Sequence, residues 1–212
     1  MIKTDFVVSG DYGVNCFLVY DDTAKKAIII DPGCDGTKVI NKIEELNLKP
    51  ELLINTHGHF DHIFSDDVIR NKYNIPLAIH KLDTEMLRNA NFNYSESTDE
   101  PITINNPDII FNTDETKKTS FCEYSVIHTP GHSKGSVCIL IENILFAGDT
   151  IFYDSVGRTD LFGGSYETLI SSLQKIKILP KGTEIFPGHG PFTTLERELQ
   201  YNRYLMTAAE NL

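Results

Sequence analysis

The segment from residue 55 to residue 62 carries four potential metal ligands within six positions. It reads Asn-Thr-His-Gly-His-Phe-Asp-His, and the ligand candidates are His57, His59, Asp61 and His62. Imidazole and carboxylate groups suit zinc and other divalent transition metals. Side chains two residues apart point to the same side in extended backbone but not in a helix, so His57 and His59 could not share a metal on one helix. The spacing therefore predicts a metal site on a turn between two elements.

Apolar segments on both sides of this turn indicate how it is held. Residues 51–54 read Glu-Leu-Leu-Ile and predict a short strand, whereas the apolar positions of residues 61–73 recur at near-helical spacing. Asp61 and His62 would then lie in the first turn of a helix, where the chain changes direction. The pair can therefore face a second point close to the first, and one loop can serve two metals.

Three later segments each place a histidine or an aspartate beside glycine, just after a run of β-forming residues. They are Thr-Pro-Gly-His-Ser with His132, Ala-Gly-Asp-Thr with Asp149, and Pro-Gly-His-Gly with His189. A single histidine beside glycine is more often a turn residue than a ligand, but five of the seven histidines fall, with two suitable aspartates, into four turn-like segments. This distribution favours one shared site. The remaining two, His80 and His128, are interpreted as a strand-end residue and a residue that packs or hydrogen-bonds beside the ligands.

The composition excludes several classes of function. The 212 residues suffice for an ordinary core, and residues 1–212 are predicted to form a single domain. The formal charge is −11 and the basic residues are scattered, so no nucleic-acid partner is expected. Four widely separated cysteines without a CxxC motif favour buried free thiols in a reducing compartment. The first residues lack an apolar segment, and the longest apolar run, residues 137–141, is too short to span a membrane. A soluble cytoplasmic protein of unknown oligomeric state is expected.

The order of elements along the chain predicts an α/β fold with layered sheets. Three strands rich in Ile, Val, Phe and Tyr begin the chain, and strand–helix units follow. The polar tract at 91–118 is interpreted as a long loop near the site that carries short strands. Ser165 is a plausible N-cap of one helix, and Thr193 with Glu196 forms a capping-box pattern before the last helix. The predicted strands are 2–8, 14–20, 26–31, 51–54, 76–80, 102–104, 109–111, 119–127, 136–141, 143–147 and 184–186, and the predicted helices are 39–46, 61–73, 81–90, 166–178 and one after residue 193.

Taken together, the motifs resemble those of the metallo-β-lactamase superfamily, close to its glyoxalase II (hydroxyacylglutathione hydrolase) branch. In chain order they are Asp31-Pro32-Gly33, the histidine-rich segment, Thr129-Pro130-Gly131-His132, Gly148-Asp149-Thr150 and Pro187-Gly188-His189-Gly190. The resemblance covers nearly all of the chain and implies an αββα sandwich, with the metals at one edge between the two sheets. It implies that one metal is bound by His57, His59 and His132, the other by Asp61, His62 and His189, and that Asp149 bridges both. Asp31 would be structural or would support the ligands.

The chemistry that the resemblance implies is hydrolysis by a hydroxide that bridges two divalent ions, with zinc expected first and iron or manganese as alternatives. Asp61 and Asp149 are the catalytic candidates. A thioester suits such a site because its thiolate leaving group needs little protonation. The expected partner is therefore a small thioester similar to hydroxyacylglutathione, and neither a nucleic acid nor a membrane.

The chain also departs from glyoxalase II itself. In that enzyme a C-terminal helical domain helps to hold glutathione, whereas 23 residues follow His189 in this sequence, and the residues that bind glutathione there have no clear counterpart here. In their place, residues 152–160 include Gly-Arg-Thr-Asp, which is similar to short bacterial glyoxalase II-like hydrolases and to persulfide dioxygenases. Arg158 is a candidate for binding a substrate carboxylate, or else one half of an internal Arg-x-Asp pair. The alternatives are a lactonase, a mononuclear iron persulfide dioxygenase and a non-catalytic metal-binding protein.

Overall fold

Two six-stranded β-sheets lie face to face in the computed structural model, which describes residues 1–207. The strands are β1 Ile2–Ser9, β2 Val14–Asp21, β3 Lys26–Ile30, β4 Lys49–Ile54, β5 Leu77–His80, β6 Ile109–Phe111, β7 Glu115–Lys118, β8 Glu123–His128, β9 Val137–Ile141, β10 Ile144–Gly148, β11 Ile151–Phe152, β12 Ser155–Val156, β13 Glu184–Pro187 and β14 Thr193–Thr194. The helices are α1 Gly36–Glu45, α2 Phe60–Ile63, α3 Asp66–Tyr73, α4 Thr84–Leu87, α5 Tyr166–Lys177, α6 Leu195–Tyr201 and α7 Arg203–Thr207, and short 3₁₀ turns lie at Lys81–Asp83 and Ser95–Ser97.

The first sheet follows the chain, with the order β1-β2-β3-β4-β5-β6. Strands β1 to β3 form an antiparallel meander, and β3 to β6 run parallel to one another. The second sheet has the order β14-β13-β10-β9-β8-β7 and is antiparallel except for the pair β10 and β13. Strands β11 and β12 form a separate hairpin.

Strand β2 shows that the first sheet is buried on both of its faces. Its residues 14–20 are all buried, and successive side chains point to opposite faces of the sheet. Cys16 and Leu18 pack into a cluster with residues of α1 and α3, whereas Phe17 and Val19 pack into the cluster shared with the second sheet. A strand buried on both faces has a nearly continuous apolar sequence, and β2 has one that only Asn15 interrupts between residues 14 and 20.

Helices complete the outer layers. Val39 and Ile43 of α1 and Ile69 of α3 cover the first sheet, and Leu173 of α5 and Leu195 of α6 pack in the cluster on the outer face of the second sheet. Three clusters of buried apolar residues therefore separate four layers. The predicted α/β fold class, an αββα sandwich, is confirmed.

Some predicted elements differ from the observed ones near the site. The helix predicted over residues 61–73 is divided into α2 and α3, because the backbone N–H of Gly33 donates to the carbonyl of His62 and the N–H of Ser65 donates to the carbonyl of Gly33. The helix predicted over 81–90 is only α4 after a 3₁₀ turn, and Leu82 of that turn is 49% exposed.

Other differences lie in the second half of the chain. The tract 91–118 contains β6 as predicted but no strand at 102–104, and its polar segment Glu115–Lys118 forms the edge strand β7. Lysines are suited to an edge strand because they discourage pairing with another chain. Strand β8 begins at Glu123, four residues later than predicted. The predicted cap Ser165 is confirmed, but the last capping pattern is wrong by one residue, since the hydroxyl of Thr194 accepts from the N–H of Arg197.

Within residues 1–207, no helix is both long enough and apolar enough to cross a membrane. The predicted single domain includes residues 208–212, which lie outside the described residues, and it stays a prediction.

Candidate metal centre

The histidine-rich segment joins the end of strand β4 to helix α2. His59 has extended backbone, with φ −72° and ψ 145°, and is the N-cap of α2, whose residues include Asp61 and His62. His57 and His59 therefore precede the helix, and Asp61 and His62 lie in its first turn, as the sequence predicts. The imidazoles of His57, His59 and His62 are all buried.

The second sheet supplies the other three candidate ligands. His132 lies in the connection between β8 and β9, Asp149 directly follows β10, and His189 follows β13. All three, like the histidine-rich segment, come after the carboxyl end of a strand. Asp149 and His189 are adjacent because β10 and β13 are paired and parallel, with Gly148 opposite Pro187.

One group of ligands consists of His57, His59 and His132. The Nε2 atom of His132 lies 3.2 Å from Nε2 of His57 and 2.8 Å from Nδ1 of His59. All three imidazoles are buried. Their nitrogens lie within 4.8 Å of one another, so one ion can contact all three.

A second group consists of Asp61, His62 and His189. The Nε2 atom of His189 lies 3.2 Å from Nε2 of His62 and 3.3 Å from Oδ2 of Asp61. Asp149 lies between the two groups: Oδ2 is 3.5 Å from Nε2 of His132, and Oδ1 is 3.5 Å from Nε2 of His62. Oδ2 also lies 3.7 Å from Nε2 of His189, so the carboxylate of Asp149 reaches nitrogens of both groups, as a bridging ligand would.

Hydrogen bonds on the outer side of the imidazoles orient their lone pairs. The Nδ1 atoms of His132 and His189 face the carbonyl oxygens of Arg158 at 2.7 Å and Tyr12 at 3.1 Å, and that of His62 faces a carboxylate oxygen of Asp31 at 3.0 Å. These oxygens only accept, so each Nδ1 carries the proton and each Nε2 carries a lone pair.

His57 is oriented in the same way. The Thr56 hydroxyl donates to Asp31, so its oxygen accepts from Nδ1 of His57 at 3.1 Å. The Nε2 lone pairs of His57 and His132 then face each other at 3.2 Å, as do those of His62 and His189. Lone pairs at this separation repel unless a proton or a metal cation lies between them, and Oδ1 of Asp149 is buried without a hydrogen-bond partner. The donor set therefore fits divalent metal ions.

The charge distribution supports the same assignment. Burial and the neighbouring histidines hold the pKa of His57 well below its usual value, so this imidazole stays neutral. Burial also lowers the pKa of His62, but Asp61, Asp149 and Asp31 outweigh it and raise the pKa to about 10. These carboxylates therefore favour a positive charge at His62, either a second proton on Nε2 or a divalent ion in its place.

Asp31 accepts hydrogen bonds from two residues of the histidine-rich segment. Its two oxygens accept from the N–H and hydroxyl of Thr56 at 2.8 and 2.6 Å, in addition to Nδ1 of His62. The residue is buried and has a φ of 50°, in the left-handed region that favours glycine. Its backbone strain is offset by these bonds, which orient His57 and His62 together.

Asp83 is a supporting residue that sequence reasoning missed. Its buried carboxylate accepts from the N–H of Gly58 at 3.0 Å, the hydroxyl of Ser133 at 2.6 Å and the N–H of Gly135 at 2.6 Å. It thereby joins the segment that carries His57 and His59 to the segment that carries His132. No local pattern marks it, because its partners lie 25 to 52 residues away.

Asn15 was missed for a similar reason, as was the part that Gly188 of the Pro187-Gly188-His189-Gly190 motif plays in packing. The Asn15 amide donates to the carbonyls of Pro187 and Gly190, both at 3.0 Å, and so fixes the loop around His189 from the first sheet. A Cβ atom on Gly188 would collide with Oδ1 of Asp149 and with the ring of His62. Only glycine therefore allows the His189 loop to approach the other ligands this closely.

A cleft of about 280 Å³ opens over the ligands. Its other lining residues are Tyr12, Phe60, Tyr94, Arg158 and Leu161. The guanidinium of Arg158 forms two hydrogen bonds of 2.7 Å with Asp160, and both side chains are more than 60% exposed. The internal pair considered from the sequence is therefore present, while Arg158 also reaches the cleft.

His80 and His128 lie apart from the two ligand groups. His80 ends strand β5, as predicted, and its ring stacks on that of His128 with centroids 4.0 Å apart. Nε2 of His128 donates to the carbonyl of Lys134, in the loop that follows His132. Both residues therefore support this loop by packing and hydrogen bonding.

Sequence and structure comparisons find similar proteins along nearly the whole chain. The family model described as Metallo-beta-lactamase superfamily matches residues 9–189. The probable metallo-hydrolase YqgX of Bacillus subtilis (strain 168) is 35% identical over 198 residues, which cover 89% of this chain and 90% of that protein. The hydroxyacylglutathione hydrolase GloC of Haemophilus influenzae is 34% identical over 197 residues, which cover 90% of this chain and 92% of that protein.

Solved structures show the same similarity. The crystal structure of the BLEG-1 B3 metallo-beta-lactamase has a TM-score of 0.92 and 36% identity, and the alignment covers 96% of this chain and 99% of that one. TTHA1623 in a di-iron-bound form has a TM-score of 0.81 and 30% identity, with 95% of this chain and 100% of that one covered.

Proposed function

We propose that this chain, which belongs to the metallo-beta-lactamase superfamily and is a metal-dependent hydrolase, cleaves small thioesters of the hydroxyacylglutathione type at a centre of two divalent ions. The observation that carries the proposal is the pair of three-ligand groups on either side of Asp149, with Nε2 lone pairs directed inward. Similarity to the Haemophilus influenzae hydroxyacylglutathione hydrolase supports the substrate class. Zinc is the first candidate, and the di-iron form of TTHA1623 supports iron as the alternative.

The chain's own groups have separate tasks in this reaction. Divalent ions supply Lewis acidity and lower the pKa of a water from about 15.7 to roughly 7. Asp61 and Asp149 line the cleft, and as carboxylates they can orient that water and accept its proton. The imidazoles of His57 and His59 remain neutral donors to the ions because burial holds their pKa values low.

The leaving group also favours a thioester. Apart from imidazoles, the side-chain donors that line the cleft belong to Tyr12, Tyr94 and Arg158, and the guanidinium already binds Asp160. A thiolate departs without a proton, because the pKa of a thiol is about 8.5. The site therefore needs no strong general acid. We also propose the cytoplasm as its compartment, since all four cysteines are free thiols.

A β-lactam is the second candidate substrate. The BLEG-1 B3 metallo-beta-lactamase matches this chain at a TM-score of 0.92, so the same attack on a strained cyclic amide is supported by a specific observation. An amide nitrogen must be protonated before it leaves, whereas a thiolate need not be. Apart from imidazoles, the cleft has only Tyr12, Tyr94 and the paired guanidinium of Arg158 as side-chain donors for this step.

The test measures thiol release by zinc-loaded and iron-loaded protein under strict anaerobiosis, with Asp149→Asn as the matched variant, and measures oxygen uptake separately in aerated buffer. Zinc-loaded wild type is expected to release free thiol from S-D-lactoylglutathione, and Asp149→Asn is expected to release at least a hundredfold less. Nitrocefin tests the β-lactam, and an oxygen electrode with glutathione persulfide tests the dioxygenase that the sequence left open. Oxygen uptake with iron, together with no thioester cleavage by either metal form, would overturn the proposed function.

A further inference from the structure

Tyr94 combines a strained backbone with a position in the cleft. Its φ of 68° and ψ of 11° lie in the left-handed region, which tyrosine rarely adopts. Such conformations cost free energy and persist only where surrounding contacts impose them. Tyr94 is also the only aromatic residue with a positive φ within residues 1–207.

Buried polar groups on both sides impose this conformation. The Asn93 amide donates to the carbonyls of Met86 and Ile102, and its oxygen accepts from the N–H of Ser95 at 2.9 Å. The carbonyl of Asn93 accepts from the N–H of Phe60, the first residue of α2. The segment that carries Tyr94 is therefore anchored directly to the histidine-rich segment.

The side chain extends from this anchor into the cleft. Its ring meets the ring of His59 at an angle of 65°, with centroids 5.7 Å apart, and it lines the cleft together with Arg158 and Leu161. The hydroxyl oxygen accepts from the backbone N–H of Phe162 at 2.6 Å, which fixes its position. Tyr94 is thus held at both ends, by its backbone and by its hydroxyl.

The hydroxyl proton remains available to a ligand. Within residues 1–207 no protein group accepts this proton. The hydrogen bond that the N–H of Phe162 donates to the hydroxyl oxygen polarises the O–H bond and makes it a stronger donor. The phenol of Tyr94 is a neutral donor beside the candidate metal ligand His59. It therefore suits an uncharged substrate oxygen that lies close to the scissile carbonyl. In a 2-hydroxyacyl thioester that oxygen is the hydroxyl on the carbon next to the carbonyl.

We propose that Tyr94 is a specificity residue whose phenol donates a hydrogen bond to the 2-hydroxyl group of the acyl chain. This inference rests on the proposed thioesterase function and defines its substrate class as 2-hydroxyacyl thioesters. An unsubstituted acyl chain would leave the phenol without this partner. The cost of the unmade bond then discriminates against such substrates.

The experiment compares kcat/KM for S-D-lactoylglutathione and S-propionylglutathione, which differ in this hydroxyl group. Wild type is expected to prefer the lactoyl thioester, and Tyr94→Phe, which keeps the ring against His59, is expected to reduce the ratio of the two values about tenfold, as for loss of one hydrogen bond. Tyr12→Phe is the matched control, because Tyr12 lines the same cleft but lies next to His189. It is expected to keep the wild-type ratio, and metal content is measured in all three proteins.

Two results would overturn the inference while leaving the thioesterase intact. One is wild type cleaving both thioesters equally well. The other is Tyr94→Phe losing activity equally on both, which would mean that the hydroxyl only holds the loop at Phe162. Failure of wild type to cleave either thioester would overturn the proposed function, and this inference with it.

Discussion

Replacing Asp83 by asparagine tests whether one buried carboxylate holds the two histidine segments together. The oxygen Oδ2 accepts from Gly58 and Ser133, and Oδ1 accepts from Gly135. An asparagine side chain has one oxygen and one NH₂ group, and in either orientation the NH₂ group faces a backbone N–H. At least one of the three hydrogen bonds is therefore replaced by an opposition of two donors.

The size of the effect follows from these bonds. Hydrogen bonds to charged groups contribute about 1.5–3 kcal/mol each. Burial raises the pKa of Asp83 despite the three bonds, so removing the charge recovers part of this loss. We expect Asp83→Asn to lose roughly 2–4 kcal/mol, which lowers Tm by roughly 5–15 °C for a chain of this size.

The measurement is thermal and urea unfolding together with metal analysis of the purified protein. Metal retention is expected to fall as well, because Gly58 separates His57 from His59 and Ser133 follows His132. Glu85→Gln is the control, since it makes the same change in charge at an exposed position two residues away. A Tm within about 2 °C of the control, with full metal content, would refute the reasoning.

Three further predictions use the same protein. Asp149→Ala is expected to abolish turnover and metal retention. His80→Ala is expected to lower Tm through the lost stacking but to keep turnover and metal retention. Equal losses of metal in the two variants would show that the ligands are misassigned. Burial raises the pKa of Asp66 well above 3.8, so its contribution to stability is present below that value and is lost as pH rises through the folded-state pKa. The unfolding free energy of Asp66→Asn is therefore expected to increase relative to that of wild type as pH rises from 4 to 8. A difference between the two proteins that stays constant over this range would contradict the expectation. Arg158→Ala is expected to leave Tm nearly unchanged, because the ion pair of Arg158 with Asp160 is exposed. A large decrease in Tm would mean that this pair stabilises the fold.

The sequence predicted those features that local patterns encode. Alternating and continuous apolar runs located most strands and both long helices, and the spacing of His57, His59, Asp61 and His62 required a strand–turn–helix connection. The side chains of His132, Asp149 and His189 do lie beside these residues. Which metal each binds stays a prediction.

Features that depend on distant contacts escaped prediction. The break between α2 and α3 arises from hydrogen bonds to Gly33, about 30 residues earlier in the chain. Asp83 and Asn15 act on backbone groups of other segments, and Tyr94 lies in a polar tract whose conformation is imposed by Asn93. None of these contacts leaves a periodic or spacing signal in its own segment.

The division of the ligands between the two sheets also orders events during synthesis of the protein. The chain is synthesised from its N-terminus, so the segment 57–62 emerges from the ribosome before any ligand residue of the second sheet has been made. His62 and His189, whose Nε2 atoms meet at 3.2 Å, are 127 residues apart in the sequence. A nascent chain therefore holds two of the three residues of each group until His132 and His189, respectively, have been translated. Neither three-residue group can be complete before the second half of the chain has been synthesised.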